Sequence, residues 1–134
     1  QPFKAFETRQ LPGLQVTALP LIHSKLTYGY LLVGEQGQRI AYLTDTVGLS
    51  SEVLEHLAAQ RLDVLVIDCT YQPLATANRN HNDYSIVLAL QQVIQAKQVF
   101  LTHISHSFDC WLMEHENTLP KSFAIARDNW GFEL

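Results

Sequence analysis

The order of apolar and polar residues divides the chain into short strands and amphipathic helices. Residues 14–23, LQVTALPLIH, begin with apolar residues spaced by polar ones and then become continuously apolar, as a strand does on entering a core. YGYLLV (28–33) and RIAYLTD (39–45) predict two more strands, with GEQG between them as a hairpin turn. SSEVLEHLAAQ (50–60) opens with a serine cap, carries Glu52 in its first turn and keeps its apolar residues at helical spacing. DVLVID (63–68) is short and almost wholly apolar, the composition of a strand covered on both faces. A polar loop, PLATANRNHND (73–83), leads to a helix over 84–96 with Asp83 as its N-cap. QVFLTH (98–103) predicts another buried strand and SFDCWLMEHE (107–116) a short helix, and the stretches SFAIA and WGFEL close the chain as strands. A hairpin followed by β-α alternation predicts a mixed sheet with helices on one face, an α/β or α+β layer.

Composition narrows this picture. A chain of 134 residues is one domain at most, and 47% hydrophobic with 16% charged residues is the balance of a globular protein, not a disordered one. The net charge of −4 and pI near 5.8 argue against a general affinity for nucleic acid, which needs a basic face. No apolar run reaches the ~18–20 residues that span a bilayer, and QPFKAFETRQ lacks the apolar centre of a signal peptide. Cys69 and Cys110 form no CxxC and read as incidental reduced thiols, so the expected setting is cytoplasmic. Gln1 in place of a starting methionine hints that something precedes this stretch.

Four polar residues share one placement, each ending or directly following a predicted strand: His23, Asp45, Asp68 and His103. In open sheets functional groups gather at the carboxyl ends of strands, and His and Asp are the donors a borderline or hard divalent cation takes. Each residue also has a plainer reading. A strand-end histidine is commonly a hydrogen-bonded structural residue, and an aspartate opening a turn such as TDTVG is commonly an Asx-turn or cap. HISH (103–106) sets two histidines three apart, a spacing that suits a helix face. His56 and His115 fall inside predicted helices beside charged neighbours and read as solvated. Spacing alone leaves a metal site and these plainer roles open.

LPLIHSKLTYGYLL, AYLTDTVGL, LVIDCTYQP, RNHNDYSIVLAL and LTHISHSFDCWLM occur in this order from about Leu11 to Phe123. Together they resemble the C-terminal half of the metallo-β-lactamase superfamily, most closely the PhnP-like phosphoribosyl cyclic phosphodiesterases of phosphonate catabolism. The resemblance implies half of a four-layer αββα sandwich, with 1–134 as a single partial domain. It implies two divalent metal ions, Mn or Zn, in a parent enzyme that hydrolyses a small phosphate ester. By the same resemblance His23 completes the first metal site, Asp45 bridges both metals and His103 is the last ligand of the second. His81 falls where such enzymes carry a non-ligand histidine that contacts the phosphate and protonates the leaving oxygen. His106 matches a histidine of a separate structural zinc site, and Asp68, with no ligand role to carry over, reads as a supporting or structural residue.

One departure is plain. The superfamily signature HxHxDH is missing, since the chain contains no HxH, and so are the cysteines that would accompany His106. The expected partner is therefore the N-terminal half or a second copy forming a homodimer, with no nucleic acid or membrane. The competing expectations are an RNA 3′-end nuclease of the same superfamily, which the acidic pI disfavours, and an inactive half-domain serving as an assembly module, which the missing signature favours.

Overall fold

In a computed structural model, which describes residues 1–115 and 117–134, the chain forms a seven-stranded sheet with the strands in sequence order. The strands are β1 (Thr8–Leu11), β2 (Leu14–Pro20), β3 (Tyr28–Gly34), β4 (Arg39–Leu43), β5 (Val64–Asp68), β6 (Gln98–Thr102) and β7 (Phe123–Ile125). β1 to β4 run antiparallel as hairpins, and β4 to β7 run parallel. The parallel connections contain α1 (Ser51–Ala58), α2 (Tyr84–Ile94) and α3 (His106–Glu114). The architecture is the mixed α/β sheet that the hydrophobic pattern predicts.

Each helix starts where the sequence provides a side chain for its open amides. Ser50, Asp83 and Ser105 each cap their helix by accepting from the backbone N–H three residues on, at Val53, Ile86 and Phe108. The helices bury Val53, Leu57, Val87, Leu90, Ile94 and Phe108 against one sheet face. That face is built by the register-matched residues Leu31, Ala41, Leu65, Val99 and Phe123, with Leu43, Ile67 and Leu101 in the next row. Gly29 lets β3 and β4 meet closely there: a Cβ on it would lie 2.7 Å from Leu43 Cδ2 and 2.8 Å from the Tyr42 carbonyl.

The opposite face carries Leu32, Ile40, Tyr42, Val66 and Phe100, and no helix among the described residues covers it. The chain's own ends lie there instead. Trp130 and Phe132 pack on Phe100 with ring centroids 4.6 and 5.0 Å away, and Phe3 meets Tyr30 at 5.7 Å. Tyr42, Trp130, Phe132 and Leu134 remain exposed.

Several expectations need correction. WGFEL is not a strand: it crosses the uncovered face as irregular chain and joins no ladder. β1 was not expected, because TRQL is a polar edge strand with little alternation. The strands expected to reach His23, Asp45 and His103 stop at Pro20, Leu43 and Thr102, so these residues lie just beyond strand ends. The helices expected over 50–60 and 84–96 end at Ala58 and Ile94, and α3 runs 106–114; residue 116, the expected end of α3, lies outside the described residues. His56 is not simply solvated: its Nε2 is buried without a partner, and its ring lies 5.8 Å from that of Phe6. His115 stacks on Trp111 at 4.1 Å, its Nδ1 2.8 Å from the Trp111 carbonyl. No helix among the described residues is long and apolar enough to cross a membrane. Both cysteines are free, and burial pushes the Cys69 thiol far above its ordinary value, which leaves it chemically quiet.

Candidate metal centre

The parallel strands β4, β5 and β6 all end at the same edge of the sheet, and the segments leaving them converge. One donor atom each from Asp45, Asp68, His81 and His103 lies within 4.8 Å of the others. His23, leaving β2, stands beside them, its ring 5.6 Å from that of His81. The His81 and His103 rings are 6.0 Å apart.

Asp45 and His103 both adopt left-handed backbone conformations, with φ of 56° and 60°. Such geometry costs a non-glycine residue of the order of 1 kcal/mol and persists only where the surroundings impose it. At Asp45 the surroundings are specific. Thr46, fully buried, donates its N–H to Asp68 Oδ2 at 3.2 Å and its hydroxyl to the Gly48 carbonyl at 2.8 Å. Val47 N–H donates to the Ile22 carbonyl, and Gly48 N–H donates to Asn82 Oδ1 at 2.7 Å. The turn is thus held by β2, β5 and the 78–83 loop, and it presents the half-exposed Asp45 carboxylate at the sheet edge.

Asp45 Oδ1 lies 3.4 Å from His103 Nδ1 and 4.0 Å from His81 Nδ1. The first distance is long for a charge-assisted hydrogen bond, which sits near ~2.7–2.9 Å. It does fit two donors on one tetrahedral ion: bonds of ~2.0–2.2 Å set neighbouring ligand atoms roughly 3.4 Å apart. The chemistry of the set, one carboxylate between imidazoles, also suits a divalent cation.

His81 is engaged differently. Its Nδ1 lies 2.6 Å from Oδ2 of Asp68, a carboxylate with no exposed surface. Asp68 also accepts from the Thr70 hydroxyl at 2.9 Å and from Thr46 N–H. This saturated carboxylate makes Nδ1 the donor nitrogen of His81 and leaves Nε2 as the free one. His23 has a comparable anchor, its Nδ1 3.2 Å from the Asn80 carbonyl, while Ser24 N–H donates to Asn80 Oδ1 at 3.1 Å.

The structure therefore brings together His23, Asp45, His81 and His103, and adds Asp68 as the partner of His81. His106 stands apart at the first turn of α3, exposed, with Cys110 Sγ 3.6 Å from its Nε2. It shares no helix face with His103, which precedes the α3 cap. Sequence reasoning missed Asn80, Asn82 and Thr46. The alternation of Asn78, Asn80 and Asn82 through the NRNHND segment was the trace of the two asparagines, and Thr46 left none.

Solved structures share this fold. A diphosphatase from the PhnP family superposes with a TM-score of 0.75 at 27% identity, over 98% of this chain and 48% of its own. The metallo-beta-lactamase fold protein YhfI from Bacillus subtilis gives 0.77 at 18%, over 96% and 53%. Human tRNase Z, short form, gives 0.64 at 18%, over 90% and 43%. The chain spans about half the length of these structures. No curated protein matches in sequence. The model of the beta-lactamase superfamily domain matches residues 1–104, most of the sheet and the turns that carry His23, Asp45 and His81, and the chain belongs to that family.

Proposed function

We propose that this chain supplies one half of a dinuclear metal-dependent phosphodiesterase. The substrate class is a small cyclic phosphate ester of the phosphoribosyl 1,2-cyclic phosphate type, as met in phosphonate catabolism. The carrying observation is the pairing of two unlike environments at one sheet edge. Asp45 and His103 stand at a ligand-to-ligand distance, and His81 beside them is held through Nδ1 by a buried carboxylate. The PhnP-family neighbour, a diphosphatase, lends weight to phosphate chemistry.

In this reading His23, Asp45 and His103 would hold the ions, Mn or Zn, with Asp45 contributing to both. When bound, the ions supply Lewis acidity toward phosphoryl oxygens and an activated water. The chain's own residues do the rest. Asp68 holds His81 through Nδ1–H and fixes its direction, and the ring, when it carries both protons, gives the one on Nε2 to the departing oxygen and is left neutral. The 78–83 loop keeps that imidazole over the centre. A structural zinc at His106 would need further ligands from outside the described residues. The test is hydrolysis of a panel of cyclic and linear phosphodiesters by the full-length protein with Mn and Zn. Metal-dependent turnover of a small cyclic phosphate is expected, and none on any phosphate ester would overturn the reading.

Three ligands cannot serve two ions well, because a catalytic zinc ordinarily takes about three protein ligands by itself. The isolated 134 residues are expected to hold at most one ion, weakly. Titration calorimetry showing two ions bound tightly by this chain alone would contradict that.

The uncovered sheet face supports the same half-domain reading. Its two rows, with Leu32 beside Ile40 and Tyr42 beside Val66, are only partly screened by the two termini. In this family's complete fold a second sheet would cover such a face at ~10 Å. The isolated chain is expected to associate, as a two-fold dimer or a larger species, through this face. Sedimentation at micromolar concentration giving a monomer that binds no hydrophobic dye would rule this out.

A further inference from the structure

We infer that Asn82 is a positioning residue of this centre: its buried side-chain amide holds the Asp45 turn in fixed relation to His81. The inference rests on the metal-binding reading above and assigns a residue which that reading leaves without a part.

Asn82 has no exposed surface and directly follows His81 in the chain. Its side chain does two things at once. Oδ1 accepts from Gly48 N–H at 2.7 Å, and Nδ2 donates to the Asp68 carbonyl at 2.9 Å. Its backbone carbonyl accepts from Thr70 and Tyr71 N–H at 3.0 and 3.3 Å. One residue therefore ties the turn leaving β4, the segment leaving β5 and the loop that carries His81. A primary amide carries a donor and an acceptor on two separate atoms of one short side chain, so neither an ionised carboxylate nor an alkyl group can replace it here.

The turn depends on that tie. Asp45 and Gly48 both have positive φ, 56° and 61°, and the N–H groups of Thr46, Val47 and Gly48 all bond to other segments. The shape of the turn is thus imposed from outside, and Asn82 fixes its far end. Releasing Gly48 frees the turn to relax from the conformation that points Asp45 at His103. Asn80 does a parallel service for the strand β2 exit, through His23 and Ser24.

A buried amide that merely stabilised the loop would lower the melting temperature and leave the folded protein's metal affinity unchanged. A positioning residue lowers the affinity of folded protein. The experiment compares wild type, Asn82→Ala and the milder Asn82→Ser in the full-length protein. Mn and Zn dissociation constants are measured by chelator competition at a temperature where circular dichroism shows each protein folded. Both variants are expected to lose about 10–100-fold in affinity, the usual consequence of removing a group that orients a metal ligand. Faster hydrogen exchange at the Gly48 amide should accompany that loss. Folded variants with wild-type affinity would overturn this inference alone, and Asn82→Ser decides if Asn82→Ala does not fold. A wild type that binds neither metal would overturn the metal-centre reading and this inference with it.

Discussion

Asp45→Asn is expected to abolish metal-dependent turnover in the full-length protein while leaving it folded. The variant keeps the size of the side chain and the tolerance for positive φ that the backbone at Asp45 needs, since Asn accepts that conformation at least as readily as Asp. It removes the negative charge and one of two anionic oxygens. Asp45 is the proposed ligand shared by both ions, so its loss weakens two sites together. The effect should exceed the ~10–100-fold that follows loss of a supporting partner. Because the carboxylate is half-exposed and its nearest side-chain neighbours are the His103 and His81 rings at 3.4 and 4.0 Å, folding stability should change little. Metal analysis after dialysis, with thermal melts of the apo protein, checks both halves of the expectation. An Asp45→Asn protein that retains its full metal complement would remove Asp45 from the centre.

His81→Ala is expected to lower turnover by ~10²–10⁴, the range for losing a general acid or base, with metal content preserved. Its Nδ1 is already committed to Asp68 at 2.6 Å, so the imidazole is built to present Nε2 in a fixed direction. Asp68→Asn should mimic much of that loss. An amide can turn its NH₂ toward Nδ1, which must then accept, so the ring is held as the neutral Nε2–H tautomer, a far weaker acid than the doubly protonated ring that a carboxylate partner can hold. The substitution also removes the Oδ2 acceptor of Thr46 N–H, while the remaining oxygen still accepts from the Thr70 hydroxyl, so Asp68→Asn should melt lower than His81→Ala. Loss of metal in His81→Ala would make His81 a ligand and reverse its role. His81 does lie within the same 4.8 Å group as Asp45 and His103, which gives that outcome a definite structural meaning.

Much of the fold was legible because it depends on local periodicity. The apolar runs 63–68 and 98–103 correspond to β5 and β6, and the caps at Ser50 and Asp83 mark the helix starts. The tail was misread for a physical reason. WGFEL alternates like a strand, but it joins no ladder, and its aromatics pack instead on Phe100 at the uncovered face, where they remove apolar surface from water. β1 was invisible because a polar edge strand leaves no pattern. At the site, strand-end placement brought out His23, Asp45, Asp68 and His103, and resemblance brought in His81. The contact between Asp68 and His81 joins residues 13 apart across a loop that has no periodicity, so only the folded chain shows it. Asn80 and Asn82 were hidden for the same reason: an asparagine in a polar loop looks like ordinary turn chemistry until its partners across the fold are known.

The central claim is that His23, Asp45 and His103 hold metal while His81 stands beside it unbonded. Anomalous diffraction from crystals of the full-length protein loaded with Mn or Zn tests this most directly. The expected result is two metal peaks at this sheet edge, within ~2.0–2.2 Å of donor atoms of those three residues, with Asp45 shared and His81 Nδ1 still on Asp68. Metal peaks elsewhere, or none at this edge in a protein that hydrolyses its phosphodiester, would contradict it.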